Sequence, residues 1–203
     1  LPEFYNKSPG LVLSTAIDRH IQIAVNKCEP KHTRVVYSEL EQVNNASELK
    51  HTRAREILKE FKIKSNIEIA SFSDITTRGS GLGSSSSYTV GLINALYNLL
   101  KIGYTKRDLA EFACNIEMNI LNEPIGKQDQ YAATYGGMNV FHFYSDGVEV
   151  VPLNIKYSLL AELNDNLMCY STGITRDASS VLSDQVQNLK KNANTLEHTS
   201  RSE

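Results

Sequence analysis

Apolar positions along the first third of the chain alternate with polar or small ones, and then the period changes. Ile21, Ile23 and Val25 fall two apart, so Leu11 to Asn26 predicts one or two strands, and Val35 to Tyr37 predicts a third, short one. From Ser47 to Phe61 the spacing shifts to three and four, with Ala54, Ile57, Leu58 and Phe61 on one helical face. Ile67 and Ile69 return to alternation, as in a strand with one buried face. A helix follows near Ser84 and carries Leu92, Ile93, Leu96, Leu99 and Leu100 on its apolar stripe. Thr105 with Asp108 three residues later marks the start of the next helix, whose buried face is Leu109, Phe112, Ala113, Ile116 and Ile120. Strands at Met138 to Phe143 and Val148 to Leu153 flank the turn signal Ser145-Asp146-Gly147. A last strand, Leu167 to Tyr170, leads into a helix from about Asp177, and the polar tail from Lys190 has too little apolar content to pack well. Strands and helices mix without strict alternation, which predicts an α+β fold.

Composition narrows the classes of function. With 203 residues, 41% of them hydrophobic, the chain can bury a real core. A formal net charge of −2 and the lack of a long basic run argue against nucleic acid as the main partner. No apolar stretch approaches the roughly 18 residues of a membrane span. Cys28, Cys114 and Cys169 are odd in number and widely spaced, which fits a reducing, cytoplasmic compartment better than a disulfide scaffold. The 5 histidines are scattered and form no HExxH, so they read as structural or surface residues.

Chemistry concentrates between the strand ending near Ala70 and the helix starting near Ser84. In Arg78-Gly79-Ser80-Gly81-Leu82-Gly83-Ser84-Ser85-Ser86-Ser87, closely spaced glycines let the main chain approach a ligand. Successive N–H groups in such a turn form a concave anion site. The helix N-terminus adds a partial positive charge of about half a unit, and the serine hydroxyls can reach phosphate oxygens or magnesium. The Walker lysine is missing, and Gly79, Gly81 and Gly83 give GxGxG rather than the dinucleotide GxGxxG. A Gly/Ser run can also be a plain flexible turn; the strand before it and the patterned helix after it argue for polyphosphate.

A second constellation runs from Glu117 to Asp129. Glu117 sits at the edge of the third helix's apolar face, and Asn122-Glu123-Pro124-Ile125-Gly126 breaks that helix. Asp129 then lies at or near the start of a new element that can return toward the glycine loop. One carboxylate could bind magnesium while the other stands near an acceptor hydroxyl, as phosphoryl transfer requires. Spacing alone leaves open that both are solvated surface charges.

The run Gly79 to Ser87 resembles the second signature motif of the GHMP kinases, the superfamily of galactokinase, homoserine kinase, mevalonate kinase and phosphomevalonate kinase. Val12-Leu-Ser-Thr-Ala-Ile-Asp18, Glu123 to Tyr131 with Tyr135-Gly-Gly137, and Thr172 to Ser179 are similar to the branch of bacterial D-glycero-D-manno-heptose 7-phosphate kinases. The resemblance extends from Leu1 to about Leu189. It implies a ribosomal protein S5 domain 2-like N-terminal lobe over residues 1–153 and the start of a ferredoxin-like C-terminal lobe over 154–203. It also implies ATP and Mg2+ as cofactors. Gly79, Ser80, Gly81, Leu82, Gly83, Ser84, Ser85 and Ser86 would wrap the triphosphate, Ser85 and Glu117 would bind magnesium, and Asp129 would take or polarise the acceptor hydroxyl proton. Lys127, Gln128 and Arg176 would contact the sugar phosphate.

The implied activity is transfer of the γ-phosphoryl group to the anomeric hydroxyl of a heptose 7-phosphate, for nucleotide-heptose and surface polysaccharide synthesis. The alternatives are another sugar 1-kinase of fucose or galactose type, a non-catalytic sugar and ATP sensor, or a related decarboxylase that phosphorylates only transiently. The superfamily's first motif would lie upstream of Leu1 and its third beyond Glu203. The chain is therefore expected to be a piece of a longer kinase that alone binds ATP weakly and turns over little or nothing. Thr76 or Thr77 stands where many members have proline, a departure that removes no ligand.

Overall fold

The computed structural model describes residues 1–29, 32–75, 81–168 and 170. Two sheets share one set of helices. A short α1, Pro2–Tyr5, precedes β1, Gly10–Thr15, and β2, Ile21–Lys27. Next come β3, Thr33–Val36, β4, Leu40–Val43, a 3₁₀ turn at Ala46–Glu48, α2, Thr52–Glu60, and β5, Ile67–Ser73. Beyond the glycine loop lie α3, Ser84–Leu100, α4, Lys106–Cys114, and α5, Gln128–Tyr135. The hairpin β6, Met138–Tyr144, and β7, Gly147–Pro152, is followed by α6, Tyr157–Asp165.

The larger sheet has the order β2-β5-β3-β4, antiparallel except for the parallel β3–β5 pair. Its inner face and α2, α3 and α4 enclose the main core, where Val35, Ile57, Leu58, Ile69, Leu92, Ile93 and Leu96 are fully buried. Gly91 is what lets α3 lie close on β2, because a Cβ there would stand 3.0 Å from Ile23 Cγ1. The smaller sheet, β1-β6-β7, is antiparallel and covers a second core built on Tyr131, Phe141 and Phe143. Tyr144 pairs with Gly147, so Ser145 and Asp146 form a two-residue loop, as the turn signal predicts. Leu11 and Leu13 project from the other face of this sheet.

Most expected elements are present, with informative differences. Leu11 to Asn26 divides into two strands that belong to different sheets. The helix expected from Ser47 starts only at Thr52, because Asn45 caps a separate 3₁₀ turn first. The Thr105–Asp108 capping box forms in both directions. Pattern reading misses β4, whose four residues are too few to display a period, and α6, which buries no residue. Leu167, Met168 and Tyr170 are not in a strand; the helix from about Asp177 lies outside the described residues.

The start of α2 depends on the charge state of one side chain. His51 Nδ1 accepts a hydrogen bond from the Ala54 N–H at 3.2 Å, which requires that nitrogen to be unprotonated. Glu41 fixes the same junction by accepting from the N–H groups of Lys50 and His51, and from the Tyr37 hydroxyl. Burial lowers the His51 pKa from 6.5; its own backbone hydrogen bond and Glu41 oppose the shift, while Arg53 reinforces it. The folded state thus favours the neutral ring, so this contribution is complete above the unfolded value of 6.5 and lost as pH falls below it. Urea unfolding from about pH 7.5 down to about pH 5 is expected to show falling stability. His51→Asn, which keeps a capping oxygen but does not titrate, should flatten that fall; an unchanged slope would contradict the assignment.

Candidate functional site

The site is assembled where α3, the turn after α4 and α5 converge. Gly81 and Gly83 both have φ of +68°, a left-handed conformation that L side chains seldom adopt. Gly83 is the N-cap of α3 and provides no side-chain cap for the helix's first turn. That end therefore has the glycine-capped, left-handed backbone that an anion site uses. Gly81, Leu82 and Ser85 are exposed there, whereas Ser84 and Ser86 are buried.

Beyond Cys114 the helix loosens into a π-helical turn, Asn115–Ile120, closed by the Leu121 N–H bonding the Ile116 carbonyl. Glu117 lies within it and is 0% exposed. This corrects the expectation that it sits at the edge of the apolar face: the wider turn aims its carboxylate inward, where it is wrapped by donors. Oε2 accepts from Ser86 Oγ at 2.8 Å and from Gln130 Nε2; Oε1 accepts from Thr89 Oγ1 at 2.6 Å and from Arg53 Nε at 3.4 Å. Arg53 is itself held by both oxygens of Glu123, at 2.6 and 2.7 Å. Gln130 is fully buried and its Oε1 accepts no hydrogen bond.

Asp129 is in the first turn of α5 and leans on the loop. A Cβ built on Gly83 would stand 3.4 Å from Asp129 Cγ and 3.6 Å from Oδ2. Asp129 is exposed to solvent on one side, but partial desolvation against the loop raises its pKa above the ordinary 3.8, and the charge of Glu117 raises it further. Lys127, just before α5, is paired with Glu111 at 2.8 and 3.0 Å, and the Tyr131 hydroxyl donates to the same carboxylate. Burial opposes ionisation of Glu111, but the Lys127 and Tyr131 hydrogen bonds hold its pKa below the usual value. Gln128 is exposed at the first position of α5. Gly79, Ser80 and Arg176 lie outside the described residues.

Two of the expected carboxylates therefore meet the glycine loop, and Ser86 is bonded to one of them. Arg53, Thr89, Gln130, Glu111 and Glu123 complete the site without having been singled out in the sequence. Signals existed for three of them: Thr89 follows Ser85 and Ser86 by four and three residues on one helix face, and Glu123 and Gln130 lie in the stretch Glu123 to Tyr131.

Glu117→Ala would leave Ser86, Thr89, Gln130 and Arg53 facing an empty, buried position. It is expected to cost about 3–5 kcal/mol in urea unfolding; a loss under about 1 kcal/mol would show the network to be dispensable. Gly81→Ala and Gly83→Ala place the same strain in left-handed backbone, about 1–2 kcal/mol each. Only the second also brings a methyl group into contact with Asp129, filling space beside its carboxyl. Gly83→Ala should thus weaken Mg·ATP binding more than Gly81→Ala, as measured by calorimetry, and equal effects would count against the contact.

Comparison with known proteins agrees with this geometry. Residues 45–137 match the GHMP kinases N terminal domain. The chain is 32% identical over 191 residues to the D-glycero-alpha-D-manno-heptose 7-phosphate kinase of Campylobacter jejuni, covering 88% of this chain and 56% of that one. The crystal structure of a candidate sugar kinase from Campylobacter jejuni superposes with TM-score 0.65 at 31% identity, over 75% of this chain and 52% of the other. A D-glycero-D-manno-heptose 1-phosphate kinase from Bacteroides thetaiotaomicron shares the fold at TM-score 0.72 and 24% identity, over 79% and 56%. The chain thus spans about half the length of these relatives. Left-handed glycines at the mouth of α3, the carboxylates facing them and the sequence match together make residues 45–137 a GHMP kinase N-terminal domain, within a chain of GHMP kinase fold.

Proposed function

We propose that this chain is the phosphate-holding part of an ATP-dependent kinase that phosphorylates the anomeric hydroxyl of a sugar phosphate, with D-glycero-D-manno-heptose 7-phosphate giving the 1,7-bisphosphate. The observation that carries the reading is the placement of the Asp129 carboxyl against Gly83, beside Glu117 and the first turn of α3. In it, residues 1–153 form the nucleotide-binding lobe and residue 154 begins the second. Main-chain amides from Gly79 to Ser86 hold the triphosphate. Asp129 accepts or polarises the acceptor hydroxyl proton, a role suited by a pKa raised toward working pH. The parent kinase would supply a cytoplasmic route to nucleotide-heptose and surface polysaccharide; among the described residues, no helix is long and apolar enough to cross a membrane.

The donors present suit magnesium. Ser85 and Glu117 offer oxygen only, as a hard divalent cation prefers, and Gln130, bonded to Glu117, keeps a buried Oε1 acceptor without a partner among the described residues. Magnesium would be held by Ser85 and Glu117 and would neutralise charge on the phosphates. Each Glu117 oxygen already accepts two hydrogen bonds, so metal binding at this carboxylate would displace a donor.

Lys127, Gln128 and Arg176 are the proposed contacts to the sugar phosphate. The Lys127–Glu111 pair favours a second reading, in which the acceptor has no phosphate and the enzyme is a fucose- or galactose-type 1-kinase. Assaying the full-length parent on heptose 7-phosphate and on unphosphorylated heptose separates the two: a strong preference for the phosphate ester supports the first, indifference the second.

Asp129→Asn in the full-length parent is expected to lower turnover by about 10²–10⁴-fold while Mg·ATP still binds. Because the fold resists the charge of Asp129, the same variant should be as stable as wild type or slightly more so. The acid limb of the wild-type rate profile should lie above the ordinary carboxylate value, since raising this pKa extends protonation to higher pH. Unchanged turnover would remove Asp129 from the chemistry, whereas a wild-type parent that binds sugar and Mg·ATP without forming product would make a sugar and ATP sensor the better account. The 203 residues alone should bind Mg·ATP weakly and release little or no product; robust turnover by them would show that segments beyond this chain are not needed.

A further inference from the structure

A second cluster of ligand-type side chains lies on the larger sheet, far from the glycine loop. Glu68 pairs with Asn26 on one side and with Arg34 on the other, so these three residues form a row across β2, β5 and β3. In β5 and β3 the flanking Ile67, Ile69, Thr33 and Val35 face the core, so Glu68 and Arg34 project from the opposite face. Cys28 is two residues beyond Asn26, and His32 is two residues before Arg34. Both ends of the connection between β2 and β3 are pinned to one residue of the neighbouring strand. The Cys28 N–H donates to the Asn66 carbonyl at 3.2 Å, and the Asn66 N–H donates to the His32 carbonyl at 2.8 Å.

This brings a thiol, an imidazole and a carboxylate together. Their ligand atoms all lie within 4.8 Å of one another, with His32 Nε2 3.6 Å from Glu68 Oε1. All three residues are partly exposed, so an ion could reach them from solvent. Tetrahedral zinc, with bonds of about 2.0–2.3 Å, puts its donors roughly 3.3–3.6 Å apart, so closure needs side-chain movements of only about 1 Å. The donor set selects the metal: magnesium and calcium favour all-oxygen ligands, whereas sulfur, nitrogen and carboxylate together suit zinc. From Glu68 to the end of β5 at Ser73 is about 17 Å of strand, so the cluster is separate from the phosphate site.

We infer that Cys28, His32 and Glu68 form a divalent-metal site selective for zinc, with its fourth position open to water. On binding, the Cys28 thiol gives up its proton to solvent and the thiolate forms the metal–sulfur bond. His32 ligates through Nε2 of the neutral ring, and Glu68 through a carboxylate oxygen. The ion ties the connection between β2 and β3 to β5. Arg34, with Nη1 3.7 Å from Glu68 Oε1, holds that carboxylate beside His32 and is the competing cation.

The test uses the 203-residue chain, reduced and stripped of metal, titrated with Co2+ alone as a spectroscopic probe. Expected are one Co2+ per chain, a thiolate-to-cobalt charge-transfer band, visible bands of tetrahedral intensity, and displacement by equimolar Zn2+. Cys28→Ser should abolish the charge-transfer band, and His32→Ala should weaken binding by about tenfold or more. Cys169→Ser should leave the spectrum unchanged, and circular dichroism establishes that each variant folds. The inference is overturned by weak octahedral binding without the band, by a band that survives in folded Cys28→Ser, or by one that disappears in Cys169→Ser.

Discussion

One buried charge organises the site. Glu117 is shut away from water, and a carboxylate in that position persists only where donors replace its hydration. Here they come from three elements: Ser86 and Thr89 on α3, Gln130 on α5 and Arg53 on α2. The same hydrogen bonds that solvate the charge thereby fix the mouth of α3 relative to α5. Since Asp129 is next to Gln130 in the chain, fixing α5 also places the Asp129 carboxyl against Gly83. A change at Arg53, 64 residues before Glu117 in the chain, would be felt at the glycine loop through this route.

The arrangement stores a conflict that function can use. Asp129 is held where partial desolvation against the loop and the neighbouring Glu117 both oppose its charge, and Gly83 holds a backbone conformation few residues accept. Sites of this kind cost stability that the rest of the fold must supply. Here it is supplied by the core between the larger sheet and α2, α3 and α4. Close approach at Gly91 keeps α3 on that sheet, so the helix that presents the loop is itself packed directly on the core.

Much of this was legible in the sequence, because the features are local. The period of two in Ile21, Ile23 and Val25, the stripe from Leu92 to Leu100 and the Thr105–Asp108 box each reflect forces acting within a few residues. Left-handed backbone at Gly81 and Gly83 was foreseeable from the glycines themselves. What stayed hidden was long-range. Arg53 reads as one more charge on a polar helix face until folding carries it to Glu117 and Glu123. Lys127 suggested a free cation for an anionic substrate, yet Glu111, sixteen residues earlier, occupies it. Burial of Glu117 depends on a π turn, which a helical wheel drawn with uniform pitch cannot display.

The central claim is that the turn before α3 holds nucleotide phosphates with its main-chain amides while Asp129 leans on it. Amide chemical shifts of the isotope-labelled chain, followed as Mg·ATP is added to millimolar excess, address this claim residue by residue. The account predicts the largest changes at Gly81, Gly83, Ser85 and Ser86, with a smaller response at Asp129. Saturable binding that moves other amides while leaving these at their original positions would contradict it.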